Sequence, residues 1–396
     1  MHPSPSPLLL LAAITGLAPN LSGAETKLSP DDTLVYVGTY TGPKSQGIYA
    51  FRLKSVAGEP ALEPLGLAAE ATQPAFLELD SKRRRLFAVN ESGTFEGQPT
   101  GSISSFSVDA TTGKLTRLSE RASGGAGPCH LLLDRTGRNI LVANYSAGTV
   151  AVLPVLDDGR LGEATSIMRH SGRSVNPQRQ TEPHAHAVTL DPAERFLFVC
   201  DLGIDKVMIY RFDAQRHTLT PHEPAFVTLP PGAGPRHMAF RPDGKFAYVL
   251  SELASTVTVF AYDAAAGRLT RVESLTTLPA GFTGKTSTAE IAVHSSGKYL
   301  YASNRGHDSL AIFTIDSTRG TLRSLGTQST GGRTPRHFGL DPTGTIVALG
   351  NQNSDTIVLA RLDPQTGRLT PSPHVAAAPS PVCLVFLPPA GDIDRR

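Results

Sequence analysis

The chain has few of the residues on which several classes of protein depend. Its three cysteines in 396 residues, Cys129, Cys200 and Cys383, are far apart, odd in number and without a C-x-x-C spacing. This pattern argues against both a disulfide framework and a zinc–thiolate site. Each cysteine lies in or beside an apolar run, so we interpret all three as buried small hydrophobic residues.

Charge is also scarce. Lys and Arg number 37 and Asp and Glu 35, which gives a net charge of +2, and charged residues make up 18% of the chain. No run of five or more like charges occurs. The electrostatic attraction on which binding to nucleic acids and anionic membranes depends is therefore missing, and we expect neither as a partner.

Long apolar runs are absent after the N-terminal region, so we predict no membrane span in the mature chain. Residues 1–24 contain no Lys, Arg, Asp or Glu, and residues 8–18 are almost all apolar. The small residues Ser22-Gly23-Ala24 follow, in a pattern suited to signal peptidase. We predict a signal peptide at residues 1–24 and a secreted or periplasmic mature protein of residues 25–396.

Glycine and proline are abundant, with 37 and 31 residues, and a Gly-basic-Leu pattern or a near variant of it recurs about every 51 residues. At this spacing residues 25–396 hold about seven units. The leucines of the pattern are Leu62, Leu115, Leu161, Leu219, Leu269, Leu322 and Leu369.

Each unit reads as four short strands, most clearly between Gly234 and Leu269. There the apolar run Met238-Ala239-Phe240 is followed by the turn Pro242-Asp243-Gly244 and by two further strand-like runs, before a fourth begins at Leu269. Four short strands repeated at this length are typical of a β-propeller blade. We predict an all-β fold, a single seven-bladed β-propeller at residues 25–396. Pairing of the N- and C-terminal strands is expected to close it, with residues 34–37 and 47–53 as second and third strands and residues 382–387 as the first strand of the shared blade.

Strand direction indicates where the chemistry lies. Consecutive strands of a blade are antiparallel, so the starts of the first strands and the loops after the second strands meet on one face, around the mouth of the central channel. The planar guanidinium group of arginine can donate two hydrogen bonds to a carboxylate or a phosphate. A histidine beside a carboxylate can accept and donate protons near neutral pH. We therefore expect an anionic or polyhydroxylated small molecule as the ligand. The side chains at these positions include Arg236, Arg305, Arg336, Glu252, Glu290, His184, His186, His237, His307 and Asn351.

Several short motifs together resemble the lactonase family of seven-bladed propellers, over almost the whole mature chain from about Leu34 to Leu387. That family includes propeller-type 6-phosphogluconolactonases and carboxy-muconate lactonising enzymes. The motifs are Ser174-Val175-Asn176-Pro177 with Arg179-Gln180, Pro183-His184-Ala185-His186, Asp201-Leu202-Gly203-Ile204-Asp205, Gly234-Pro235-Arg236-His237, Glu252-Leu253 and Ser303-Asn304-Arg305-Gly306-His307-Asp308.

The resemblance implies that the chain is a carboxylic ester hydrolase acting on a sugar-type lactone, as a 6-phosphogluconolactonase does. It places the catalytic group on His184, Arg236, Glu252 and Arg305, with His186 left open as the alternative to His184. The substrate-binding residues we predict are His186, His237, Glu290, His307, Arg336 and Asn351. In the hypothetical mechanism the arginines stabilise charge on the carbonyl oxygen, and Glu252 or His184 takes a proton from water while the other protonates the leaving group.

Three alternatives remain open from the sequence. The chain could be a non-catalytic secreted propeller that binds an anionic glycan, a small molecule or a protein partner, because the fold alone does not select a function. His184 and His186 with Asp201 and Asp205 could be drawn as metal ligands, but we interpret the aspartates as turn-capping groups and expect neither a metal nor a cofactor. Residues 168–180 form either a lid over the substrate or an elongated connection.

Overall fold

The structure is a computed structural model in which residues 28–29 and 31–389 are described. The predicted signal peptide at residues 1–24 lies outside the described residues. Within the described part of the chain, all elements are β-strands except one turn of 3-10 helix at Gln352–Ser354, and none of it forms a helix that could cross a membrane. The described strands number 28 and form seven antiparallel sheets of four strands each, which confirms the predicted fold class.

Each sheet is one blade of the propeller, and its strands follow one another from the channel outwards. Blade 1 consists of β28 (Pro381–Leu387), β1 (Leu34–Thr39), β2 (Gly47–Val56) and β3 (Glu59–Glu70). Blade 2 consists of β4 (Pro74–Asp80), β5 (Arg85–Asn90), β6 (Ser102–Val108) and β7 (Leu115–Ala122). Blade 3 consists of β8 (Pro128–Leu133), β9 (Asn139–Asn144), β10 (Thr149–Pro154) and β11 (Ser166–Arg169).

The remaining four blades repeat this order. Blade 4 consists of β12 (Ala185–Leu190), β13 (Phe196–Asp201), β14 (Lys206–Asp213) and β15 (Thr218–Thr228). Blade 5 consists of β16 (Pro235–Phe240), β17 (Phe246–Ser251), β18 (Thr256–Asp263) and β19 (Arg268–Thr276). Blade 6 consists of β20 (Ser287–Val293), β21 (Tyr299–Arg305), β22 (Ser309–Ile315) and β23 (Leu322–Ser329), and blade 7 of β24 (Pro335–Leu340), β25 (Ile346–Asn351), β26 (Thr356–Leu362) and β27 (Leu369–Ala377).

The ring is closed by strands from the two ends of the chain. β1 pairs antiparallel with β28, in a register that runs from Leu34 opposite Leu387 to Thr39 opposite Pro381. The first strands of neighbouring blades contact one another around the whole ring and so surround the channel. Closure of this kind removes free sheet edges between the first and last blades, and it agrees with the strand assignment made from the sequence.

Apolar side chains between the blades hold the ring together. Along β17, Ala247 and Val249 pack into the core shared with blade 4, whereas Tyr248 and Leu250 pack into the core shared with blade 6. This is the two-residue alternation of a strand that is buried on both faces. A blade therefore has no independent core, and its stability depends on its two neighbours.

The repeated Gly-basic-Leu pattern has a structural explanation. The tyrosine hydroxyl of Tyr301 donates to the carbonyl oxygen of Gly367 in the next blade, at 2.9 Å, and Tyr248 bonds in the same way to Gly320, at 3.0 Å. Both glycines have a positive φ, and a Cβ atom at Gly367 would collide with the Tyr299 ring. Glycine is required here because the turn is left-handed and lies directly against the neighbouring blade.

Candidate active site

The upper mouth of the channel, where the innermost strands begin, contains a carboxylate that binds three arginines. Glu252 follows β17 directly, and its Oε2 atom lies 2.9 Å from Arg236 Nε and 2.9 Å from Arg305 Nη2. Its Oε1 atom lies 2.8 Å from Arg179 Nη2. Burial works to raise the pKa of Glu252, but attraction to the three arginines outweighs it and holds this pKa at about 2. Glu252 is therefore ionised at neutral pH, and both of its oxygens are occupied.

The guanidinium groups retain unused donors although they are fixed in place. Arg236 Nη1 donates to the carbonyl oxygen of Ala289 at 2.5 Å and to His237 Nε2 at 2.9 Å. Arg305 Nη2 also donates to the carbonyl oxygen of Thr288 at 2.7 Å. The Nε atom of Arg305 is buried and has no hydrogen-bond partner among the described residues. Three positive charges and one negative charge, with donors to spare, suit an anionic or polarised oxygen of a ligand.

His184 lies beside this cluster in a fixed tautomer. Its Nδ1 atom is 3.1 Å from the carbonyl oxygen of Tyr145, and its ring is stacked on the Tyr145 ring with 4.3 Å between centroids. A carbonyl oxygen can only accept, so Nδ1 carries the hydrogen and Nε2 keeps its lone pair. Within the described residues Nε2 has no hydrogen-bond partner. The half-buried ring of His184 thus has an acceptor nitrogen available for chemistry.

His186 lies deeper than His184. Its Nε2 atom is 3.9 Å from Glu252 Oε2, and its Nδ1 atom is 3.8 Å from the thiol of Cys129. Burial lowers the pKa of His186 well below its usual value, and the charges of Arg236 and other neighbours lower it further. This histidine is neutral at physiological pH. Its neutral imidazole ring lines the site close to the carboxylate of Glu252.

The floor of the mouth is a layer of neutral imidazoles around Glu290. Because His237 Nε2 accepts from Arg236, its Nδ1 atom carries the hydrogen and faces Glu290 Oε1 at 3.1 Å. His337 Nε2 is 3.5 Å from Glu290 Oε2, and burial lowers the pKa of His337 to about 4. The rings of Phe76 and His130, with 4.2 Å between centroids, complete the layer. His237 and Glu290, which the sequence suggested as substrate-binding residues, are buried beneath Arg236.

Arg336 lies on the other side of the mouth in a different setting. Its Nη2 atom donates to the hydroxyl of Tyr40 at 2.6 Å, and its guanidinium carbon is 5.1 Å from the centroid of the Tyr40 ring. The Tyr40 hydroxyl in turn donates to Glu91 Oε2 at 2.7 Å. Burial raises the pKa of Tyr40, so the phenol keeps its hydrogen. Burial also raises the pKa of Glu91, against the attraction of Arg336.

A β-bulge at the top of each innermost strand positions these side chains. Pairing between the first and second strands of a blade shifts by one residue between Pro235 and His237 and between Pro335 and His337, which leaves Arg236 and Arg336 without partners in the register. His186 has the same position in β12. Bulges redirect side chains next to functional sites, and here they bring equivalent positions of several blades to one mouth.

Two residues predicted from the sequence make their hydrogen bonds outside the Glu252 cluster. Asn351 is completely buried, and its Nδ2 atom donates to the carbonyl oxygen of Thr330 at 3.0 Å. In blade 6, Asn304 makes the equivalent bond to Thr277, which follows the outermost strand of blade 5. This asparagine is therefore a feature of the repeat that ties a blade to the end of the preceding one. His307 bonds through Nδ1 to the Ser309 hydroxyl at 2.7 Å. The structure thus gives Asn351 and His307 local contacts, and their contact with a substrate stays a prediction.

The sequence-based prediction missed the roles of Arg179 and Tyr145. Arg179 Nη2 donates to the Tyr145 hydroxyl at 3.1 Å as well as to Glu252. Its loop is anchored, because Gln180 Nε2 donates to Asp205 Oδ1 at 2.8 Å and Asn176 Oδ1 accepts from the backbone amide of Arg179 at 3.2 Å. Residues 168–180 therefore supply an arginine to the mouth. The Ser-Val-Asn-Pro and Arg-Gln motifs, which contribute to the family resemblance, could have indicated that this loop belongs to the site.

The aspartates that could have been drawn as metal ligands serve the backbone. Asp201 Oδ1 accepts from the amides of His184 at 2.8 Å and Gly203 at 3.0 Å. Asp205 accepts from the amides of Gly232 at 2.7 Å and Gly234 at 2.6 Å. These contacts agree with the interpretation of both aspartates as turn-capping groups.

Comparison with known proteins assigns the family. The family described as Lactonase, 7-bladed beta-propeller matches residues 34–386. The chain belongs to the lactonase family of seven-bladed β-propellers. It is similar to the 6-phosphogluconolactonase of Bacillus subtilis strain 168, with 36% identity over 352 residues, which are 89% of this chain and 97% of that protein.

Two further lactonase relatives are similar over nearly their whole length. The 6-phosphogluconolactonase of Formosa agariphila is 30% identical over 86% of this chain and 95% of its own. The solved structure of a periplasmic gluconolactonase from Pseudomonas aeruginosa superposes with a TM-score of 0.83 at 36% identity, and the match covers 90% of this chain and 99% of that one.

Proposed function

We propose that this protein hydrolyses a sugar-type lactone at the upper mouth of the channel. The observation that carries the proposal is the fixation of three arginines by the carboxylate of Glu252, beside a histidine whose Nε2 atom is free to accept a proton. Membership of the lactonase family supports it, as do the activities for which the Bacillus and Pseudomonas relatives are named.

The reaction begins with water placed between His184 and the lactone carbonyl. His184 Nε2 takes a proton from the water while the water oxygen bonds to the carbonyl carbon. Negative charge then develops on the carbonyl oxygen, where the unused N–H donors of Arg236 and Arg305 stabilise it. When the tetrahedral intermediate collapses, the ring C–O bond breaks, and His184 returns the proton to the departing alkoxide. One water is consumed and one hydroxy acid is formed.

Glu252 has a positioning role in this mechanism, which differs from the proton transfer considered from the sequence. Three arginine nitrogens lie within 2.9 Å of its two oxygens, and its pKa is held at about 2. A carboxylate of this kind is a poor base at neutral pH. His184 also suits proton transfer better than His186, because burial holds the pKa of His186 far below neutrality.

We also propose that the mature chain acts outside the cytoplasm. The apolar segment and the small-residue triplet within residues 1–24 support this, and the similar gluconolactonase of Pseudomonas aeruginosa is described as periplasmic. N-terminal sequencing of chain purified from the periplasmic fraction, the first step of the experiment below, is expected to begin at Glu25.

The decisive experiment measures acid release in a pH-stat with purified mature protein, on glucono-1,5-lactone, its 6-phosphate and a homoserine lactone. We expect turnover of the sugar lactones that persists in EDTA. His184→Gln should lower kcat by roughly a hundredfold, the usual contribution of a general base. His374→Gln changes a histidine on the outermost strand of blade 7 and is the matched control. A folded wild-type protein that turns over none of the lactones would favour a binding propeller, and full activity of His184→Gln would disprove the assignment of the base.

A further inference from the structure

Arg336 is the arginine of the upper mouth whose charge no carboxylate matches directly. Arg179, Arg236 and Arg305 all lie within 2.9 Å of Glu252. Among the described residues, Arg336 has no carboxylate oxygen within 4.0 Å, and its hydrogen bond goes to the neutral hydroxyl of Tyr40. The carboxylates that raise the pKa of Arg336 against its burial, Glu91 and Glu252, act at longer range, and Glu91 is reached through the hydroxyl of Tyr40. The two sides of the mouth therefore differ in how their positive charge is balanced.

Tyr40 holds the guanidinium group in a defined orientation. The hydroxyl accepts from Arg336 Nη2, while the Tyr40 ring lies under the guanidinium group at 5.1 Å. Because the same hydroxyl donates to Glu91 at 2.7 Å, its direction is fixed from the far side. Arg336 Nε and Nη1 have no hydrogen-bond partner within residues 28–29 and 31–389. Nη2 also carries a second hydrogen, and a guanidinium group presents its parallel donor pairs as Nε with Nη2 on one edge and Nη1 with Nη2 on the other. The bond to Tyr40 therefore leaves one of these two pairs free for a ligand.

Arg336 lies at the same mouth of the channel as the Glu252 cluster. It occupies the bulge position of β24 that Arg236 occupies in β16. Its charge is felt by the cluster as well, since Arg336 is among the groups that lower the pKa values of Arg305 and His186. A ligand whose carbonyl faces Arg236 and Arg305 can therefore present another of its groups to Arg336.

We propose that Arg336 and Tyr40 form a subsite for an anionic substituent of the lactone, a phosphate or carboxylate group distinct from the reacting ester. The proposal rests on the lactonase function argued above. It identifies Arg336 as the side chain that distinguishes charged from neutral substrates. An anion supplies the direct ion pair that Arg336 lacks and accepts from its free donor edge in a bidentate manner. A neutral sugar lactone offers neither.

The test is a selectivity ratio, kcat/KM for glucono-1,5-lactone 6-phosphate divided by kcat/KM for glucono-1,5-lactone. We expect Arg336→Gln to lower this ratio at least tenfold, mainly through KM of the phosphorylated substrate. Arg336→Lys, which keeps the charge without the fork, should lower it less and provides a second variant should the first fail to fold. A glucarolactone, which carries a carboxylate instead, shows which of the two anions the subsite prefers.

Arg333→Gln is the matched control for the loss of one positive charge. Arg333 lies three residues away in the same blade, is exposed, and bonds to the backbone carbonyl of Asn353 at 3.1 Å. The selectivity ratio should not change in this variant. An unchanged ratio in folded Arg336→Gln, or an equal fall in Arg179→Gln, would overturn the subsite while leaving the lactonase function intact.

A wild-type protein inactive on every lactone would instead contradict the proposed function. Binding of 6-phosphogluconate, measured by titration calorimetry, tests the subsite in that case too. We expect Arg336→Gln to bind it at least tenfold more weakly than Arg333→Gln does. Equal affinities would disprove the subsite.

Discussion

The two ends of the channel are built from the same strands, but the aspartates of the lower turns and Glu252 at the upper mouth use their carboxylates differently. At the lower end, aspartates stabilise the turns after the first strands, because each Oδ1 atom accepts hydrogen bonds from two backbone amides. The two distances are both 2.7 Å for Asp191, and they are 2.8 and 2.6 Å for Asp341. At the upper end, the carboxylate of Glu252 binds side chains instead. The bulges at the upper end interrupt the ladder and free positions that can differ from blade to blade. The aspartates of the lower turns therefore maintain the fold, whereas Glu252 and the bulge positions of the upper end are available for chemistry.

The largest effect is expected where the upper end depends on a single charge. In Glu252→Gln a neutral amide would face three guanidinium groups, so the arginines would repel one another and lose their alignment. We expect kcat/KM on the cognate lactone to fall on the order of a thousandfold, as for loss of groups that stabilise the transition-state oxyanion. Steady-state kinetics in the pH-stat measure this, with near-UV circular dichroism as the control for folding. A loss below tenfold would mean that the arginines are held by other contacts.

The sequence was sufficient to predict the architecture, because the same strand and turn pattern occurs in each of the seven units and can be recognised in several of them. The Gly-basic-Leu pattern marks the turn at which Tyr248 and Tyr301 reach the next blade, and six of its seven leucines lie within the outermost strands. Leu161 is the exception. It forms an isolated bridge with Val155, and the outer strand follows later, at Ser166–Arg169.

The site was less predictable, because its contacts join residues distant in sequence. Arg236, Glu252 and Arg305 could be grouped, because the starts of the first strands and the ends of the second strands of blades 5 and 6 meet at the same mouth. Arg179 could not be added, since it reaches Glu252 across 73 residues from a loop outside the repeat. Asn351 shows the opposite difficulty. Its recurrence at the ends of the second strands reflects a backbone tie of the repeat, and recurrence alone does not separate such a tie from a ligand contact.

The pH dependence of stability provides a second, intermediate test of the upper end. The folded pKa of Glu252 is about 2, below its usual 4.5, so its ionisation stabilises the fold above pH 4.5, and this contribution is lost as pH falls towards 2. The full contribution corresponds to about 3 kcal/mol. Urea unfolding of wild type and Glu252→Gln at pH 7 and pH 3 should show that wild type loses about 2 kcal/mol more than the variant. Parallel losses would contradict the low pKa.

The smallest effect is expected at the lower end, where the carboxylate of Glu78 has a backbone hydrogen bond to Leu79 but no ion pair among the described residues. Glu78 lines two cavities of about 430 and 450 Å³ together with Leu79 and Phe386, and no ion pair to it occurs among the described residues. Burial raises the pKa of Glu78 to about 7. An acid whose folded pKa is raised stabilises the fold below its unfolded pKa, and that stability is lost as pH rises towards 7.

Replacing Glu78 should therefore raise the free energy of unfolding at high pH and leave it unchanged at low pH. We expect Glu78→Gln to be more stable than wild type at pH 8 by about 1 kcal/mol, because water in the cavities offsets part of the desolvation, and to equal wild type at pH 4. Lactone turnover should be unchanged, since Glu78 lies below the layer of imidazoles that floors the site. Glu70→Gln, on the exposed outer strand of blade 1, is the control in urea unfolding. A variant that gains nothing at pH 8 would show that the lower channel solvates Glu78 as well as bulk water does, and the two ends of the channel would then differ in geometry but not in polarity.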